Sequence, residues 1–84
     1  MLYYLILCRS LTYAQRTARV LERAGVSGYV QKTPKAISKG GCGYGVKVSE
    51  RRLAEALQVL RREGMAPKQV FLQEATGAYR EVQP

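Results

Sequence analysis

The residue whose surroundings best suit chemistry is Cys42, set in the run Lys39-Gly40-Gly41-Cys42-Gly43 of an 84-residue chain. A thiol with an unperturbed pKa near 8.5 is only about 3% ionised at pH 7, and lowering that pKa to about 7 ionises roughly half. Lys35, Lys39 and Arg9 supply positive charge that favours the thiolate over the neutral thiol. Gly41 and Gly43 place no side chain over the sulfur, and their amides can turn toward an anion as a backbone nest does. The plain alternative is that Cys42 opens a strand on the face of Tyr44 and Val46 and is a small buried hydrophobe. Cys8, at the end of an apolar run, has burial as its default reading, and it becomes a candidate redox partner for Cys42 only if the two Cα atoms come within about 7 Å.

Other chemistries lack their residues. With no His and no Asp there is no Cys-His dyad, no Ser-His-Asp triad and no histidine metal site, and two cysteines do not close a tetrahedral zinc site. The glycine cluster does not follow GxxxxGK[ST], so it is not read as a nucleotide loop. No cofactor and no metal are expected, and the chain reads more as a carrier or binding protein than as a turnover enzyme. Fourteen Lys and Arg against six Glu leave a formal charge of +8, which favours anionic partners. Arg51, Arg52, Arg61 and Arg62 fall on a predicted helix, however, where a solvated polar face accounts for them.

Two cysteines are too few for a disulfide framework, which points to a reducing, cytoplasmic setting. The apolar start, residues 2–8, follows Met1 with no positive leader and is far shorter than the roughly 20 residues a membrane helix needs, so no membrane association is expected. Nor does it read as a lipoprotein signal, because Leu7 is large where a small residue precedes the cysteine.

The elements that must position Cys42 follow from hydrophobic period. Residues 2–8 are continuously apolar or aromatic and fit a central strand buried on both sides. Leu11, Ala14, Ala18 and Leu21 recur at helical spacing, with Ser10 or Thr12 as cap and Gly25 as a left-handed stop. Residues 29–31 read as a second strand, residues 32–43 as a loop, and Tyr44, Val46 and Val48 as the buried side of a third strand. Ser49 and Glu50 begin a second helix with Leu53, Ala56, Leu57 and Leu60 as its stripe, and Gly64 ends it. Residues 70–72 make a fourth strand. Residues 1–74 thus form one domain, with 75–84 either a tail or, through Thr76-Gly77, a hairpin return that adds an edge strand.

The segments 20–26 and 59–65 echo each other in apolar positions and in the glycine that ends each helix, which suggests two βαβ-like halves. The expected fold is therefore α/β in the α+β sense: a ferredoxin-like βαββαβ sandwich, with a four-stranded antiparallel sheet, two helices on one face and room for an extra C-terminal strand. Right-handed crossovers then put strands one and three side by side, with Cys8, Arg9 and the first helix's N-terminus at the rim from which the Cys42 loop springs. Such a fold with a basic balance invites comparison with RNA-binding modules, whose third strand carries stacking aromatics. Here Tyr44 is that strand's only aromatic and is expected to point inward, which counts against nucleic acid.

The segment Pro34-Lys35-Ala36-Ile37-Ser38-Lys39-Gly40-Gly41-Cys42-Gly43 resembles that of a family of short bacterial domains, the selenium/sulfur carrier protein-like family, in which Pro, a basic residue, an apolar residue and Ser lead to a Cys-Gly pair. The helix ending at 20–26 is also similar to the family's. The resemblance covers roughly residues 3–72. It implies that Cys42 holds selenium or sulfur as a perselenide or persulfide and passes it on, which makes donor and acceptor proteins the expected partners; the residues expected around the charged adduct, from the reading of the chain itself, are Lys35, Ser38, Lys39, Gly41, Gly43 and Arg9. Gly40-Gly41 stand where serines are usual, and Cys8 matches no family motif. The alternative function is an anion-, RNA- or protein-binding adaptor in which Cys42 is structural. Exposed strand edges would also allow a homo-oligomer.

Overall fold

The computed structural model describes residues 2–38 and 43–82. Its elements are β1 (Tyr3–Cys8), α1 (Leu11–Arg23), β2 (Tyr29–Lys32), β3 (Tyr44–Ser49), α2 (Leu53–Arg62), β4 (Val70–Gln73) and β5 (Tyr79–Val82). They form a mixed α+β unit with one antiparallel sheet in the order β2-β3-β1-β4-β5. The sheet has five strands where four were expected, because residues after Gln73 turn back and pair with β4. Glu74 N donates to Ala78 O, Gly77 N donates to Glu74 O, and Gly77 takes φ +91, a conformation glycine adopts without steric cost.

Directly paired residues share a face, so the register of β1 sorts the sheet into two sides. Tyr4, Ile6 and Cys8 pair with Val48, Val46 and Tyr44, and with Leu72 and Val70 of β4 where it reaches. This side meets Ala14 and Leu21 of α1 and Ala56, Leu57 and Leu60 of α2 in the main core. Tyr3, Leu5 and Leu7 face the other way, beside Ser49, Lys47 and Gly45. Leu5, Leu7 and Phe71 form a second, smaller cluster there, covered by Ile37 and Tyr79. Leu5 is only 2% exposed, so β1 is buried on both sides as its unbroken apolar run implies. Gly45 makes that second cluster possible, since a Cβ there would lie 2.9 Å from both Ile6 O and Leu5 Cδ1.

Both helices end in the same way. Val26 N donates to Leu21 O and Gly25 N to Glu22 O; Met65 N donates to Leu60 O and Gly64 N to Arg61 O. Each glycine has positive φ, and the apolar residue after it folds back into the core, so the echo in sequence is an echo in structure.

Two expectations for the helices change. In α1, Leu11 is 40% exposed and Thr17, 1% exposed, takes the place in the stripe. Its hydroxyl donates to Tyr13 O at 2.9 Å, which satisfies the polar atom and leaves the methyl for packing. Before α2, residues 50–52 form a 3-10 turn, Ser49 makes no side-chain cap, and the helix starts at Leu53. Arg52 instead clasps Glu55 in the first turn through Nη2 at 2.7 Å and Nε at 2.9 Å. Arg51, Arg61 and Arg62 are exposed, consistent with a solvated helix face.

Candidate functional site

The register brings three strand ends to one rim. Cys8, the last residue of β1, lies opposite Tyr44, the first of β3, and Tyr44 lies opposite Lys32, the last of β2. The 33–43 connection therefore springs from the end of the sheet where β1 passes into α1, as the topology predicted. Its base is closed by Thr33 N donating to Gly43 O at 2.9 Å. A turn follows in which Ile37 N donates to Pro34 O and Ser38 N to Lys35 O, and Ile37 packs down on Leu5, Leu7 and Phe71. The connection thus leaves the rim toward the side of the sheet away from the helices. Lys35 is exposed and Ser38 half-buried. Lys39, Gly40, Gly41 and Cys42 lie outside the described residues, and with them the expected approach of Cys8 to Cys42.

Gly43 is half-buried, and its φ lies outside the left-handed region. A Cβ built on it meets nothing within 4 Å among the described residues, so the backbone here does not demand glycine.

The chain belongs to the Putative Se/S carrier protein-like family, whose model matches residues 3–72. No curated protein and no solved structure matches it. The family match runs from the first residue of β1 into β4 and includes the whole 33–43 connection, whereas β5 lies beyond it. β5 therefore lies outside the matched span.

Cys8 is a core residue. It is 3% exposed on the helix-covered side, with Sγ 3.7 Å from Ile6 O and 3.9 Å from Thr17 Oγ1, either of which can accept the weak thiol donor. Arg9, next in the chain, is exposed, and its guanidinium carbon sits 4.7 Å from the centre of the Tyr13 ring. That contact holds the cation beside the start of α1, whose N-cap Ser10 accepts from Tyr13 N at 3.1 Å. A cavity of about 180 Å³ opens here between the β1–α1 junction and the α2–β4 connection, with Arg9, Tyr13, Pro67 and Lys68 in its wall and Cys8 among its lining. A larger hollow of about 650 Å³ lies between α1 and the entry to β2, lined by Arg19, Glu22 and Tyr29, and does not include the cysteine rim.

The sequence reading missed the aromatic content of the open side. Tyr44 does face the helices, but Tyr3, Tyr29 and Tyr79 lie on the other side, by their pairing with Ser49, Lys47 and Gln73. In β1 the unbroken apolar run hides which tyrosine faces which way, and only the register separates Tyr3 from Tyr4.

Proposed function

We propose that the protein carries selenium or sulfur on Cys42, as a perselenide or persulfide, within a ferredoxin-like βαββαβ sandwich extended by β5. The observation that carries this reading is the family match over residues 3–72, which spans the Cys42 segment. Two features support it. Cys8 is buried, and Cys42 is the cysteine that the sequence sets in a basic, glycine-rich context. The two ends of the connection that bears Cys42, Lys32 and Tyr44, lie at the rim where β1 passes through Arg9 into α1, and a negative sulfur brought to that N-terminus would be stabilised there.

In the sulfur case, the Cys42 thiolate attacks the outer sulfur of a donor persulfide, R–S–SH. A new S–S bond forms on Cys42, the donor S–S bond breaks, and RS⁻ departs and takes up a proton. An acceptor thiolate repeats the exchange and returns Cys42 to the thiolate. No electrons are gained or lost overall and no cofactor takes part. The partners are a donor and an acceptor protein, and a reducing cytoplasm keeps the thiol available.

The reading is tested by incubating the protein with a persulfide donor, recording its intact mass, and then adding an acceptor thiol. Wild type gains one sulfur atom and loses it to the acceptor, while Cys42→Ala gains none. An unmodified wild type, or an adduct that survives Cys42→Ala, would sink the proposal.

A further inference from the structure

On the side of the sheet away from the helices, β2 and β3, with Tyr3 of β1, present a surface that is only partly covered among the described residues and whose composition fits a particular ligand. Across one row the register sets Tyr29, Lys47 and Leu5 in adjacent strands, with Gln31 next to Tyr29 on the same side and Tyr3 next to Leu5. Tyr29 is 65% exposed, more so than Leu11 at 40%, the other large hydrophobic side chain that reaches solvent among the described residues. The Lys47 ammonium lies 4.3 Å from the centre of the Tyr3 ring, so the cation is held at the middle of the surface and not left to sample solvent. None of the three strands contains an acidic residue. The sheet's acid is Glu81 at the far edge, where Gln69 donates to it. Positive charge and open aromatic surface thus coincide on β2, β3 and β1, and Ile37 bounds them on the side of the 33–43 connection.

A flat, exposed ring beside a fixed cation is complementary to a ligand that alternates flat aromatic groups with negative charges, which is the chemistry of an unpaired nucleic acid strand. Stacking on tyrosine is sequence-tolerant because every base has a π-face, and lysine contributes through the phosphates. We infer that the open side of β2, β3 and β1 binds single-stranded nucleic acid, a base stacking on Tyr29 and Lys47, positioned by Tyr3, meeting the backbone phosphate. Gln31 stands beside Tyr29 as a donor and acceptor for a base edge. The net charge of +8 draws the strand to the protein, and the absence of acid on these strands places it on this half of the sheet. The site uses no cysteine and stands or falls apart from the carrier reading.

The test is fluorescence anisotropy of a labelled short oligouridylate RNA with the full chain at low salt, with a labelled duplex of similar length alongside. Saturable binding that prefers the single strand is expected. Tyr29→Ala should weaken it by between about fivefold and about a hundredfold, and Tyr29→Phe should restore it. Lys47→Gln should lower the slope of log affinity against log salt by about 0.7, the single-strand contribution of one phosphate contact. Absence of saturable binding, equal affinity for duplex, or an unchanged affinity in Tyr29→Ala would each overturn the inference. So would light scattering that shows a dimer dissociated by Tyr29→Ala, since the surface would then be occupied by a second copy.

Discussion

The two sides of this sheet solve the same burial problem with different amounts of material. On one side two helices lay a continuous apolar layer over Ile6, Cys8, Val46, Val48 and Val70. On the other, the residues described as covering Leu5, Leu7 and Phe71 are Ile37 from the loop and Tyr79 from the edge strand. The helix-covered side is therefore where stability resides, and its cysteine, Cys8, belongs to packing. The open side is capped only in part. It receives the turn at residues 34–38, through Ile37, and leaves Tyr29 exposed and Lys47 and Tyr3 half-buried. Deep packing is concentrated on one side of the sheet, and exposed or half-buried aromatic and basic side chains lie on the other.

That division can be broken by substitution, and the largest effect is expected on the helix-covered side. Leu60→Ala empties a fully buried position between α2 and the sheet and should cost about 2–5 kcal/mol in urea unfolding. Gly45→Ala comes next, on the open side, because its new Cβ would press on the Ile6 carbonyl and on Leu5; about 1–3 kcal/mol is expected from the same measurement. Gly43→Ala, two residues away on the same strand approach, should change stability by less than about 0.5 kcal/mol, since its Cβ has room. Ile37→Ala removes half-buried cover from the smaller cluster and should cost about 1 kcal/mol, well below Leu60→Ala. Tyr29→Ala should leave the urea midpoint essentially unchanged. A loss from Ile37→Ala as large as that from Leu60→Ala would show that the two sides contribute equally and would remove the contrast.

Much of this architecture was legible in the chain because local chemistry writes it. Ser10 as the cap of α1 and the glycines at 25 and 64 that end the two helices needed no tertiary information. The alternation of Tyr44, Val46 and Val48 with Gly45 and Lys47 gave the two sides of β3 correctly. What escaped depends on contacts between distant residues. Thr17 is polar by type and enters the core only because its hydroxyl bonds to Tyr13 O, so an apolar count passes over it. Ile37 reads as one apolar residue in a basic loop, and nothing local says that it crosses to cover Leu5 and Leu7. The expected serine cap gives way to a 3-10 turn before α2: Ser49 precedes that turn without a side-chain cap, and Arg52 pairs with Glu55 where the helix begins. For the candidate site, the sequence supplied the rim shared by Cys8, Arg9 and the 33–43 connection. It supplied Cys42 by type and context, while the side of the sheet to which Tyr3 and Tyr29 belong waited for the register.

Among the described residues no helix is long and apolar enough to cross a membrane, so the apolar β1 segment belongs to the sheet. Its terminal thiol is 3% exposed and lies against Ile6 O and Thr17 Oγ1, so alkylation of Cys8 in the folded protein should be slow. The measurement that tests the central claim most directly is to load the protein from a persulfide donor, digest it without reduction, and locate the added sulfur by peptide mass. The extra atom is predicted on the peptide that contains Cys42, with Cys8→Ala loaded to the same extent as wild type. An added sulfur found on the Cys8 peptide, or on neither, would contradict the account.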